Sequence, residues 1–72
     1  MKARVLSLDE FKDGTCRFDR YLLQFKDGNF MMFSDGDWRF NDSKKWVEYW
    51  RHGQCSIFKY DSIMNIRGEC LK

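Results

Sequence analysis

The Asp-Gly dipeptide recurs three times in the first half of the sequence, at Asp13-Gly14, Asp27-Gly28 and Asp35-Gly36. It is a favoured pair where a tight hairpin turn needs positive φ. Turns this closely spaced leave no room for parallel crossovers, so the runs between them are expected to form an antiparallel meander. Lys2 to Leu8 sets Ala3 and Val5 against Arg4 and Leu6, and Arg17 to Phe25 places Tyr21, Leu23 and Phe25 on one face. Phe30 to Phe33 and Trp38 to Phe40 read as two further short strands.

The pattern changes after Phe40. Over residues 41–53 capping residues come first (Asn41, Asp42, Ser43), a positive end follows, and Gly53 is a stop, which predicts one helix. At 100° per residue Trp46, Val47, Tyr49 and Trp50 share one arc, and Lys44, Lys45, Glu48, Arg51 and His52 lie opposite. The aromatic arc should then pack on the sheet, with Trp46 and Trp50 between helix and strands. Cys55 to Tyr60 alternates again as a strand, and Ile63, Met64 and Ile66 supply a last extended or single-turn segment. The expected fold class is α+β: one α-helix packed on a four- or five-stranded antiparallel sheet, in the order strand meander, helix, then one or two strands.

With 72 residues there is room for one hydrophobic core, so residues 1–72 form a single domain. A core this small depends on large side chains, and 18% of the residues are Phe, Trp or Tyr. Proline is absent, and no Gly/Ser-rich or low-complexity stretch marks a linker. Cys16, Cys55 and Cys70 are odd in number and widely spaced, which suits a reducing cytosol, no disulfide among them, and roles as small buried hydrophobes. No apolar run is long enough to span a bilayer, and Met1-Lys2-Ala3-Arg4 leads straight into alternation, so a soluble, cytoplasmic protein is expected, with no membrane partner.

The sequence offers little for catalysis. His52, the only histidine, lies three residues before Cys55, but Gly53 separates them and a cationic His in a last helical turn already suits the helix dipole. Zinc needs paired N/S ligands, and the chain has neither a C-x-x-C nor a second His. Asp35-Gly36-Asp37 with Asp42 lacks the sixth-position Gly and twelfth-position Glu of a calcium loop, and Gly-rich phosphate loops are missing. The expectation is a protein that is not an enzyme and uses no cofactor and no metal.

What remains is binding. The net charge of +2 does not by itself point to a polyanion. Trp, Tyr, Met and Arg are enriched in interface cores, and the candidate partner-binding residues are Trp38, Arg39, Lys44, Lys45, Tyr49 and Arg51. For Trp38 and Tyr49 core and interface are both open, and the basic residues also suit a solvated face. The string Phe40-Asn41-Asp42-Ser43 followed by Val47-Glu48-Tyr49-Trp50-Arg51-His52-Gly53 resembles small phage anti-CRISPR proteins that block the type I-F surveillance complex. That resemblance implies a phage-encoded inhibitor that occludes a host defence protein, acting in host cytoplasm, and carries over no binding residue. The leading expectation is a non-enzymatic protein-binding module directed at a host protein or complex. Two alternatives stand beside it: a single-stranded nucleic-acid binder stacking bases on Tyr21, Phe30 and Phe33, and a small homodimer burying an edge strand.

Overall fold

A computed structural model describes residues 2–13, 18–34 and 36–71. Gly14, Cys16, Arg17 and Asp35 lie outside the described residues, and with them half of the first and of the third Asp-Gly pair and the start of the run expected from Arg17. The elements are β1 (Lys2–Leu6), α1 (Leu8–Asp13), β2 (Arg20–Phe25), β3 (Phe30–Phe33), β4 (Asp37–Asn41), β5 (Trp46–Arg51), β6 (Gln54–Lys59), a 3-10 turn (Tyr60–Ser62) and β7 (Ile63–Cys70). Among the described residues the chain is mostly antiparallel sheet with one short α-helix. It forms two sheets, ordered β1-β7-β2-β3 and β4-β5-β6, in place of the single sheet of four or five strands expected from sequence.

The Asp27-Gly28 pair makes the hairpin its sequence predicts. Gly28 has φ +93° and donates its N–H to the Phe25 carbonyl at 3.0 Å, while Asp27 accepts from the Asn29 N–H at 2.9 Å. β3 and β4 belong to different sheets, so these two strands do not form the hairpin expected between them. A Cβ on Gly36 would overlap the Tyr49 ring, so only a bare backbone fits against that ring at this position.

The largest correction falls on residues 41–53, which form a hairpin where a helix was expected. β4 pairs with β5 from Asp37↔Trp50 to Asn41↔Trp46, and β5 pairs with β6 from Trp46↔Lys59 to Arg51↔Gln54. The signals read as helix caps are present but serve turns. Asn41 Oδ1 accepts from the Ser43 hydroxyl at 2.9 Å and the Lys44 N–H at 3.1 Å, closing a loop whose last residue, Lys45, takes φ +60°. His52 and Gly53, at φ +53° and +75°, form a two-residue turn with both centres at positive φ, as a type I′ hairpin requires. Between these turns, Trp, Val, Tyr and Trp are strand formers, and that preference wins.

The helix that does form was not anticipated: Asp13, expected in a hairpin turn between the first two strands, is its last residue, and β1 pairs with β7, not with β2. Ser7 and Glu10 make a reciprocal capping box: Ser7 Oγ accepts from the Glu10 N–H at 3.1 Å and Glu10 Oε1 from the Ser7 N–H at 3.0 Å. The Ser7 N–H, helped by the charge of Arg4, holds the Glu10 carboxyl below its usual range. Six residues are too few to stand alone. Phe11, buried, anchors α1 against the Tyr21, Trp38 and Phe40 rings at 5.0, 5.0 and 5.2 Å.

β7, the segment expected to be marginal, is the longest strand and pairs with both β1 and β2. In β1 the inward side chain is Leu6, while Val5 is exposed. Buried Glu69 meets Arg20 Nε at 2.6 Å and Arg67 Nε at 3.8 Å, which answers its charge. The core is Leu6, Phe11, Leu23, Phe33, Val47, Tyr49 and Ile66, with Tyr21 and Phe25 packed beside Leu23 as the alternation of that run predicts. Leu23 and Val47 are fully enclosed, one from each sheet.

This arrangement separates two truncations that the helical reading would treat alike. Leu23→Ala should cost about 2–5 kcal/mol through lost burial and a residual cavity, a large share of the stability of so small a domain. Trp46→Ala, on the outer face, should leave a cooperatively folded protein. Urea unfolding of both variants checks this, and a Trp46→Ala chain as damaged as Leu23→Ala would contradict the fold.

Candidate binding face

Alternation along β5 decides what this molecule shows to its surroundings. Val47 and Tyr49 point into the core, so Trp46, Glu48 and Trp50 stand on the opposite, outer face of the second sheet. The register places Arg39 and Ile57 on either side of Glu48, Cys55 beside Trp50, and Lys59 beside Trp46. The three β5 side chains are half-buried by their neighbours, whereas Arg39, Cys55, Ile57 and Lys59 are exposed.

Glu48 organises this face. Its Oε2 accepts from the Trp46 indole Nε1–H at 2.9 Å and its Oε1 from the Trp50 Nε1–H at 3.0 Å. Residues two apart on a strand lie roughly 6.6–6.8 Å from each other on the same side, close enough for one carboxylate to reach both indoles. The Trp46 and Trp50 donors, with Arg39 adding its charge, hold the Glu48 carboxyl below its usual range against partial desolvation. Cations cover the rings: the Arg39 guanidinium lies 5.3 Å from the Trp50 ring and Lys44 Nζ 5.6 Å from the Trp46 ring. The result is a pair of large amphipathic side chains fixed in orientation and bordered by Arg39, Lys44 and Lys59, with Asp37 opposite Trp50 and 4.0 Å from the Arg39 guanidinium.

The six residues singled out from sequence divide. Trp38 and Tyr49 belong to the interior, their ring centroids 4.6 Å apart, and Tyr49 Oη donates to the Ser34 carbonyl at 3.4 Å. Arg39 and Lys44 are on the outer face, each over a tryptophan. Lys45 sits in the β4–β5 loop, where its carbonyl accepts the Tyr60 N–H at 2.9 Å. Arg51 is exposed at the end of β5 and, with Trp50, His52 and Asp37, borders a shallow hollow of about 450 Å³. Sequence reasoning missed Trp46, Trp50 and Ile57 as surface residues. The signal was there in Trp46-x-Glu48-x-Trp50, a period-two pattern with a carboxylate between two indole donors.

Other chemistry is sparse. Among the described residues no group of three or more His, Cys, Asp or Glu side chains gathers as a metal site would need, and no helix is long and apolar enough to cross a membrane. Cys55 is exposed, contrary to its expected burial, and partial desolvation together with the charge of Glu48 pushes its thiol up, the opposite of what activates a nucleophile. No protein-family model, curated protein or solved structure matches the chain.

The lowered Glu48 carboxyl predicts a pH response with a definite sign. A depressed carboxyl contributes stability above its unfolded value, and the contribution is lost as pH falls through the folded value. Tryptophan emission of the folded protein should therefore hold steady down through the ordinary glutamate range and change only below it. Glu48→Gln should abolish that change. A wild-type midpoint at or above the usual 4.5 would contradict the two-indole clamp.

Proposed function

We propose that the chain is a non-enzymatic protein-binding module that inhibits a larger host protein by covering part of its surface, and that it docks through the outer face of the β4-β5-β6 sheet. The observation that carries this reading is the Trp46–Glu48–Trp50 ladder: two tryptophans on the solvent side of a sheet, locked by one carboxylate. Trp and Arg dominate interface hot spots, and side chains already held in place lose less freedom on binding. Ile57, 51% exposed beside Glu48, adds an apolar contact in the middle of the face. Arg39, Lys44 and Lys59 form a positive rim suited to steering an acidic partner surface.

The resemblance to type I-F anti-CRISPR proteins supports the inhibitor class and the phage-encoded setting within this proposal. The residues that carry it lie in the β4–β5 hairpin and its following turn, not in a helix. The nucleic-acid alternative loses support from its own residues. Phe33 is buried, Tyr21 packs among the Phe11, Phe18 and Trp38 rings, and only Phe30 of its three stacking residues is exposed.

The test begins with capture of a partner on the immobilised chain from host lysate, followed by titration of the purified partner against variants. Trp50→Ala should weaken binding by at least about 2 kcal/mol, roughly 30-fold, with the circular dichroism spectrum unchanged. Charge reversal at Lys44 and Lys45 should mainly slow association. Variants that bind like the wild type would refute this face. Tight oligonucleotide binding that weakens steeply with salt would replace the proposal by the nucleic-acid reading.

A further inference from the structure

Among the described residues, each sheet ends on two strands that have a neighbour on one side only: β1 and β3 in the first, β4 and β6 in the second. Such edges expose backbone donors and acceptors to any passing strand, and charged side chains are the common protection. β1 carries Lys2 and Arg4, β4 carries Asp37 and Arg39, and β6 carries Lys59. β3, with the sequence Phe-Met-Met-Phe, carries no charge at all. Its side chains Phe30, Met31 and Met32 are 65%, 46% and 49% exposed. Beside it, Met31 and Ile57 border an open groove of about 720 Å³ whose lining includes Phe25 and Phe58, whose rings are 5.3 Å apart.

We propose that β3 is a self-association edge, on which a second copy of this chain lays its own β3 antiparallel about a two-fold axis through Met31. The two four-stranded sheets would then join into one continuous sheet across the axis. This assignment is independent of the tryptophan face, which lies on the other sheet.

The charge pattern argues for a second copy as the occupant. An uncharged strand meets its own equivalent without repulsion, whereas the same operation about Ala3 of β1 would oppose Lys2 to Arg4. The register follows from the faces. A two-fold axis perpendicular to a sheet keeps like faces on one side, so directly opposed residues must share parity, and the axis must pass through one residue. Centred on Met31, it sets Phe30 against Met32 of the second copy on the outer face, in both directions, and Met31 against its equivalent beside the groove. Sulfur–aromatic pairs of this kind are favourable. Centred on Met32, it would oppose Phe30 to Ser34 and leave the most exposed ring without an apolar partner.

The experiment is sedimentation equilibrium on the full chain over a concentration series, with Met31→Lys, Met31→Glu and their equimolar mixture. Circular dichroism and thermal unfolding serve as controls on each monomer. The expected result is a wild-type mass twice that of one chain, monomers for each variant alone, and a dimer restored in the mixture, because opposite charges then face each other across the axis. Met32→Lys, with its charge on the other face of the same strand, is the second variant and should also weaken the dimer. Any of four results would overturn the proposal: a wild-type monomer throughout the series, a dimer that persists in Met31→Lys, a dimer lost in Trp50→Ala, or open-ended assemblies larger than two. Hydrogen exchange at Phe30–Phe33 adds a readout, since protection that rises with the chain's own concentration is expected. Protection that appears only when a different protein is added would give the edge to another occupant and refute self-pairing.

Discussion

Three rings hold this molecule together. Phe33 from the first sheet lies 4.7 Å from Tyr49 and 5.2 Å from Trp38, and those two, on neighbouring strands of the second sheet, lie 4.6 Å apart. Phe11 closes the cluster from the helix side at 5.0 Å from Trp38. Tilted and edge-on arrangements at these separations are the geometries that aromatic rings prefer. Once Tyr49 and Val47 are committed to this interior, strand geometry leaves no choice for their neighbours. Trp46, Glu48 and Trp50 must face outward, and the binding face is a consequence of the core.

An outward tryptophan has an apolar body and one polar N–H, and the sheet answers both needs locally. Glu48 takes the two N–H groups, while Arg39 and Lys44 cover ring faces that would otherwise meet water. A second polar clasp ties the ends of the hairpin to the rest of the fold. Asp42, in the β4–β5 loop, accepts from Lys12 of α1 at 2.7 Å and from the Tyr60 hydroxyl at 2.9 Å. Burial, and then the hydrogen bond to Asp42, push the Tyr60 phenol up to about 12, while the same contacts hold Asp42 low and Lys12 high. The loop that presents Lys44 is thus fixed at its base.

In the first sheet the β2–β3 hairpin was legible in the sequence, because period-two alternation around Leu23 and the Asp27-Gly28 turn admit one reading, whereas the pairing of β7 with β1 and β2 was not. The second sheet was not, and the cause lies in shared chemistry. A side-chain oxygen that caps a helix N-terminus is the same group that closes the loop at Asn41, and a glycine at positive φ ends a helix or turns a hairpin equally well. Trp46, Val47, Tyr49 and Trp50 satisfy a helical arc, and they also satisfy alternation once Glu48 is counted with the tryptophans. Strand preference was the feature that separated the two, and it pointed to β. The reverse happened at Ser7, where Ser-Leu-Asp-Glu spells a capping box that the preceding alternation masked. Of the surface residues, Arg39 and Lys44 could be named from charge, whereas Trp46, Trp50 and Ile57 depend on knowing which face of β5 is inside.

Fold and face both depend on the conformation of residues 42–53, which a nuclear Overhauser spectrum of the labelled protein reads out. Cross-strand contacts are expected between Phe40 and Val47, Trp38 and Tyr49, and Tyr49 and Ser56, following the observed register. Contacts running from each residue to the third one on between Lys44 and Arg51, with the cross-strand set missing, would mean a helix and would contradict both the fold and the face built on it.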